Sequence, residues 1–253
     1  MSLKHDSLRK LRKQRTKWKV ESWDEYELRE RELLKQMATD NILTTVGQVK
    51  VSAGKAKGAM LDIPKKTRPL TNRMKTQIFD MLERDISNRT VLDLYAGSGS
   101  FGIEALSRGA KSCLFVDAGK QAISCIEGNI QKTGFLLEAI VVKEKVEEFV
   151  KKTLSAEQTY EVIFIDPPYK LYNRKRRFKI LEMIQNSSRL LPGIKNPGSK
   201  KFPGVLILKH PNHYPISDFR VEGIRLLETY EFGMNAITLF VVETENSKRS
   251  LGD

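Results

Sequence analysis

Two stretches of this chain carry residue types and spacings suited to chemistry. The first is Leu92 to Gly102, LDLYAGSGSFG, in which Gly97, Gly99 and Gly102 complete a G-x-G-x-x-G. A glycine-rich turn that leaves a strand and opens a helix brings a ligand against bare backbone. Two ligands compete for such a turn. A dinucleotide would set its pyrophosphate at the helix N-terminus. S-adenosylmethionine instead offers an ammonium, a sulfonium and no phosphate. Asp93 favours the second, because a carboxylate beside the turn repels pyrophosphate and attracts a cation. Asp117, at the end of CLFVD, suits the ribose of either ligand.

The second stretch is Asp166, Pro167, Pro168 and Tyr169, after the apolar run EVIFI. Paired prolines leave the backbone few alternatives, so the Asp166 carboxylate and the Pro167 carbonyl are held toward one spot. Both are acceptors and suit an exocyclic amine. Tyr169 offers a flat face on which a base can stack. An aromatic amine is a weak nucleophile because its lone pair is delocalised. Acceptors on its protons favour the geometry in which that lone pair attacks an activated methyl carbon. Such a reaction needs no metal and no covalent intermediate.

Each motif must stand at the end of a strand, and the surrounding text supplies the strands. TVLDLY, CLFVD, AIVV, EVIFID and VLILK alternate with helical segments near 99–108, 120–132, 146–152 and 178–190. Strands rich in Val, Ile and Leu and spaced by helices predict a parallel sheet covered on both faces. RLLETYEFG and AITLFVVE follow with only a Gly-Met-Asn turn between them, which predicts a closing hairpin with an antiparallel strand. Upstream, the valines at 46, 49 and 51, with Gly54 and Gly58, predict a small hairpin. A helix is expected from about Asn72, capped by Thr71 or Asn72, with Ile78, Phe79, Met81 and Leu82 on its apolar face.

Composition narrows the partner. Lys+Arg number 44 against 31 Asp+Glu, a net charge of +13 over 253 residues. That surplus suits a polyanion, because each neutralised phosphate releases counterions. Residues 1–45 form a basic arm running into a charged segment, helical or disordered, that serves either as a nucleic-acid arm or as a solvated tail. The run KLYNRKRRFK, with Arg174, Lys175, Arg176 and Arg177, begins directly after Tyr169 and is placed to hold phosphates. Lys55 and Lys57 on the hairpin, and Arg73, are further candidates. There is no membrane-spanning run and no apolar leader, so a cytoplasmic protein is expected, and it is expected to be a monomer. Cys113 and Cys125 read as buried free thiols. The pair His210 and His213 lacks further ligands, and no metal is expected.

With these motifs in this order, the chain resembles the RsmD-type 16S ribosomal RNA guanine-N(2)-methyltransferases. The likeness runs from about Val46 to Val242 and rests on the Gly54–Gly58 hairpin, RPLTNRMKTQIFDML, DLYAGSGSFGIEALSRGA and DPPY. It implies an α/β fold with the seven-stranded, mostly parallel Rossmann-like sheet of the class I methyltransferases. It further implies a hairpin and linker over 46–71, a catalytic domain over 72–244 and a tail over 245–253. It implies S-adenosylmethionine as donor and the 2-amino group of a guanine in small-subunit rRNA, naked or in an assembling particle, as acceptor. Asp93, Gly97 and Gly99 would hold the methionine side and Asp117 the ribose, with Tyr95 and Ser98 also binding the donor. Arg68, Pro69 and Thr71 would line the donor pocket, and Asp166 to Tyr169 would receive the base. The first 40 residues and the insert around Gly193 to Phe202 have no counterpart in the family, and two further places depart from it. Lys145 and Val146 stand where an Asp or Asn followed by Ala usually contacts the adenine, and Lys209 stands where an acid often precedes the histidine. Two rival readings remain: an adenine-amine methyltransferase acting on DNA or RNA, and an RNA-binding assembly factor without turnover.

Overall fold

Seven strands make one mixed sheet, and their order explains where the motifs meet. The computed structural model describes residues 45–64, 71–82, 86–172, 176–192, 203–212, 214, 216 and 219–243. The arm, Arg68, Pro69, Arg174, Lys175, the insert at 193–202, His213 and the tail lie outside them. In chain order the elements are β1 Thr45–Lys50, β2 Met60–Pro64, α1 Asn72–Leu82, β3 Thr90–Leu94, α2 Ser100–Ser107, β4 Ser112–Asp117 and α3 Lys120–Thr133. They continue with β5 Ala139–Lys143, α4 Val146–Ser155, β6 Val162–Ile165, a 3-10 turn Tyr169–Leu171, α5 Arg177–Ser188, β7 Val205–Pro211, β8 Ile224–Phe232 and β9 Asn235–Val242.

The sheet order is β5-β4-β3-β6-β7-β9-β8. β3, β4, β5, β6 and β7 pair in parallel, whereas β9 runs antiparallel to β7 and pairs with β8 as a hairpin. After β5 the chain returns to the other side of β3, so the strand order reverses between β3 and β6. Ligands of open α/β sheets bind in the crevice at the carboxyl edge of such a point. Alternation along each strand divides the core in two. Val91, Phe115, Phe164 and Ile207 face α1, α2 and α3, while Leu92, Val116, Ile163, Ile165 and Leu208 face α4 and α5. Cys113 and Cys125 are buried and free. Among the described residues no helix is long and apolar enough to cross a membrane.

The hairpin β1–β2 is antiparallel, with Val49 opposite Leu61, and its buried side, Val49, Val51, Leu61 and Ile63, joins the first core cluster. Its loop is fastened to α2. Lys55 N donates to the Ser107 carbonyl at 2.7 Å and Ala56 N to Ser107 Oγ at 2.9 Å. At Gly54, where φ is +80°, a Cβ would stand 1.8 Å from the Ser107 carbonyl oxygen. Only glycine allows both that left-handed turn and that approach.

On α1 the apolar face is Met74, Ile78, Phe79 and Leu82, with Met81 only half-buried. Met81 packs against the first core cluster as expected, and the inward face also takes in Lys75, which is wholly buried. Its ammonium is satisfied by the Lys50 carbonyl at 2.6 Å and Glu104 Oε2 at 3.0 Å. An apolar-periodicity reading places a lysine outside by default, so this buried pair had no local signal.

Candidate active site

The glycine loop and the DPPY segment meet because β3 and β6 are neighbours. Leu94 pairs with Ile165, and Asp166 N donates to the Leu94 carbonyl at 3.3 Å. A cavity of about 530 Å3 opens there, within the size range of small-molecule sites. Tyr95, Gly97, Asp117, Lys145, Val146 and Glu147 line one side of it, and Asp166, Pro167, Pro168, Tyr169, Leu171 and Lys209 the other.

The loop is shaped by backbone conformation. Gly97 (φ 57°) and Gly99 (φ 73°) are left-handed, and so is Tyr95 (φ 57°), which is not a glycine. Such a residue costs energy and persists where its surroundings hold it, often at functional sites. Tyr95 is held by its hydroxyl, which donates to Glu147 Oε1 at 2.9 Å. Burial, then the nearby Glu147 carboxylate, push that phenol well above its ordinary value. Gly102 serves packing instead: a Cβ there would meet Phe115 at 2.3 Å and Cys113 Sγ at 2.5 Å. Asp117 accepts from Gly97 N at 3.0 Å and Gly119 N at 2.7 Å. Each oxygen still has acceptor capacity toward the cavity.

Asp93 sits behind the lining. It is buried, its Oδ2 accepts from Gly102 N at 3.1 Å, and its Oδ1 meets no hydrogen-bond donor among the described residues. Burial raises its carboxyl well above the usual range, against the Gly102 amide, and Asp166 and Asp117 push the same way. An orphaned, buried carboxylate oxygen facing two other acids fits a cationic ligand group. Ser98 and Gly99 are also buried behind the wall. Thr71 caps α1, its Oγ1 accepting from Met74 N at 3.3 Å, and does not line the cavity.

On the other wall, the Tyr169 hydroxyl hydrogen-bonds Asn235 at the β8–β9 turn. Tyr172 meets the Tyr169 ring edge-on at 6.3 Å and donates to the Lys209 carbonyl at 2.7 Å. Lys209 Nζ donates to Asp166 Oδ2 at 2.7 Å. Burial raises the Asp166 carboxyl, and Lys209 pulls it down. Lys209, Glu147 and Asn235 are the residues that motif reading did not assign. Lys209 could have been found, since it ends the apolar strand VLILK where a charge is unusual; Glu147 and Asn235 carry no such mark. Lys145 and Val146, at the place where an adenine contact was expected, line the cavity.

Of the candidate RNA contacts, Lys55, Lys57, Arg73 and Arg176 are exposed. The Arg73 guanidinium lies 5.8 Å from the Phe232 ring centroid. The Arg177 side chain, Arg174, Lys175 and Arg68 fall outside the described atoms. His210 is buried, bonded to the Pro211 carbonyl and Thr238 Oγ1 at 2.8 Å each. Among the described residues no cluster of three acid, histidine or cysteine side chains could hold a metal.

The family model described as Conserved hypothetical protein 95 matches residues 49–194. The protein named "Putative rRNA methyltransferase YlbH" of Bacillus subtilis is 34% identical over 139 residues, which are 54% of this chain and 76% of that one. Ribosomal RNA small subunit methyltransferase D of Haemophilus influenzae is 32% identical over 139 residues, 54% and 70% of the two chains. Among solved structures, a hypothetical protein of Thermus thermophilus superposes with a TM-score of 0.60 at 28% identity, covering 78% of this chain and 99% of that one.

Proposed function

Because the chain belongs to the Conserved hypothetical protein 95 family, the RsmD-type methyltransferases, we propose that it methylates the 2-amino group of a guanine in small-subunit ribosomal RNA. The methyl donor is S-adenosylmethionine. The observation that carries this reading is one cavity lined by both Asp117 and Gly97 of the glycine loop and Asp166 and Tyr169 of DPPY.

The residues fit the donor. Asp117 faces the cavity with acceptor capacity for ribose hydroxyls, and Asp93, buried behind the lining with Oδ1 unpartnered among the described residues, is placed to offset the ammonium's charge from there. When bound, the donor would supply a sulfonium methyl as the electrophile for the amine lone pair, the sulfur keeping the electron pair of the C–S bond. The chain orients the amine. The ionised Asp166 carboxylate and the Pro167 carbonyl accept its protons, which turns the lone pair toward the methyl carbon. Asp166 also stabilises the positive charge that gathers on nitrogen before its proton is lost to solvent. Tyr169 holds the base by stacking. The exposed Lys55, Lys57, Arg73 and Arg176 contact phosphates around a target nucleotide turned out of its helix.

The test incubates the full chain and labelled donor with unmodified small-subunit rRNA, small subunits and DNA, and maps the label by mass spectrometry. Label on a guanine 2-amino group supports the reading; label on adenine or on DNA replaces it. Asp166→Ala is expected to abolish transfer while donor affinity stays within about twofold. Donor binding with no transfer to any of the three would mark an assembly factor instead.

A further inference from the structure

We infer that Lys209 is a positioning residue for methyl transfer: it grips one oxygen of Asp166, keeps that carboxylate an acceptor, and leaves the other oxygen for the target amine. This rests on the function proposed above.

The sheet itself creates the contact. Ile165 and Leu208 are paired in the parallel ladder of β6 and β7; Asp166 directly follows β6, and Lys209 is the next residue of β7. Neighbouring parallel strands with matching register point these side chains the same way, across one strand spacing. Lys209 Nζ then reaches Asp166 Oδ2 at 2.7 Å, with 3% of the Lys209 side chain and 21% of the Asp166 side chain exposed. A buried ion pair with one member open to a cavity is oriented toward that cavity. Asp166 Oδ1 hydrogen-bonds no described residue, and both residues line the wall. The Lys209 backbone is fixed in turn by the Tyr172 hydroxyl on its carbonyl.

The chemistry needs this grip. A neutral carboxyl group would present a proton where the amine must donate one. Of the groups near Asp166, Asp93 in β3 opposes its charge and the Tyr172 phenol is neutral, while Tyr95, Asp117, Lys145, Glu147 and Tyr169 share the cavity lining. Burial also opposes the charge. Lys209 is the cation in hydrogen-bond reach of Asp166 among the described residues. The sign follows. Asp166 already titrates above its ordinary value, and removing Lys209 raises it further. Transfer requires the ionised acceptor, so its acidic limb moves to higher pH.

Two readouts test this on the full chain. In protein carrying 13C-labelled aspartate, the carboxyl titration midpoint of Asp166 is expected to rise in Lys209→Met and to stay near wild type in Lys209→Arg. Single-turnover transfer to small-subunit rRNA near neutral pH should fall roughly tenfold or more in Lys209→Met. Its acidic limb should shift up, donor affinity should hold, and Lys209→Arg should recover most of the rate. Lys209→Gln serves in the same way if Lys209→Met does not fold, retained donor binding being the check. An unmoved carboxyl midpoint, or wild-type transfer with an unmoved pH profile, overturns the role of Lys209 and leaves the proposed reaction standing. A wild-type chain inert toward every nucleic acid, with Asp166 still titrating higher in Lys209→Met, overturns the reaction and with it the positioning role.

Discussion

Lys75 Nζ and Glu104 Oε2 lie 3.0 Å apart with neither side chain exposed to solvent. Around this pair Glu104 also accepts from Ser52 N, Ser52 Oγ, Ala53 N and Arg108 Nε, at 2.6–3.1 Å. One carboxylate thereby joins α1, α2 and the loop of the N-terminal hairpin. Removing Lys75 leaves Glu104 its bonds from Arg108, Ser52 and Ala53, so the loss stays below the roughly 3–5 kcal/mol of a stranded buried charge, at about 1–3 kcal/mol. Lys75→Met should destabilise the chain by about that amount in urea unfolding, and should speed amide exchange at Ser52 and Ala53. Donated hydrogen bonds outweigh burial and hold the Glu104 carboxyl below its ordinary 4.5. A depressed carboxyl stabilises above its unfolded value and loses that contribution as pH falls through the folded one. Exchange at Ser52 and Ala53 should therefore rise selectively below about pH 4.5, the ordinary glutamate value.

Gly54→Ala is expected to undock the same loop by a different route. Its Cβ would collide with the Ser107 carbonyl, which is backbone and cannot yield as a side-chain tip would. Adding the left-handed φ, the cost is about 1–3 kcal/mol. RNA affinity should fall in a binding titration while donor affinity is unchanged. Equal loss of both would show that the hairpin also supports the donor loop.

Asp117→Ala should weaken donor binding by roughly 1–3 kcal/mol in calorimetry, the scale of a lost hydrogen bond to a charged group. Asp117→Asn should cost less, because its carbonyl can still accept from one of the two glycine amides. Unchanged affinity in Asp117→Ala would exclude the ribose role.

Tyr169 has two separable features. Tyr169→Phe removes the bond to Asn235 and keeps the ring, so RNA affinity should change by less than about 1 kcal/mol. Tyr169→Ala removes the stacking face, worth about 1–3 kcal/mol. Single-turnover transfer at graded RNA concentrations separates the two. Matching losses in both variants would assign the role to the hydroxyl.

Much of this site was legible because its signals are local. DLYAGSG and DPPY each stand at a strand end in sequence, and the strands announce themselves by continuous apolar runs. The rest of DLYAGSGSFGIEALSRGA was read as one motif, yet its parts do different work. Gly97 bends the loop, Gly102 lets α2 lie on β4, and Glu104, Ser107 and Arg108 hold the hairpin. Periodicity could not separate these roles, because the hairpin partners lie about fifty residues upstream.

The sequence by itself determined the strands, their helical spacers, the two motifs at carboxyl ends and the basic charge. Each of these depends on side-chain type and short-range spacing alone. Only the tertiary structure decided that β6 returns beside β3, that Lys209 faces Asp166, that Lys75 is buried, and that Tyr169 reaches Asn235. Those facts depend on strand order and on contacts between residues far apart in the chain, where burial turns a charge that would otherwise be solvated into a fixed partner.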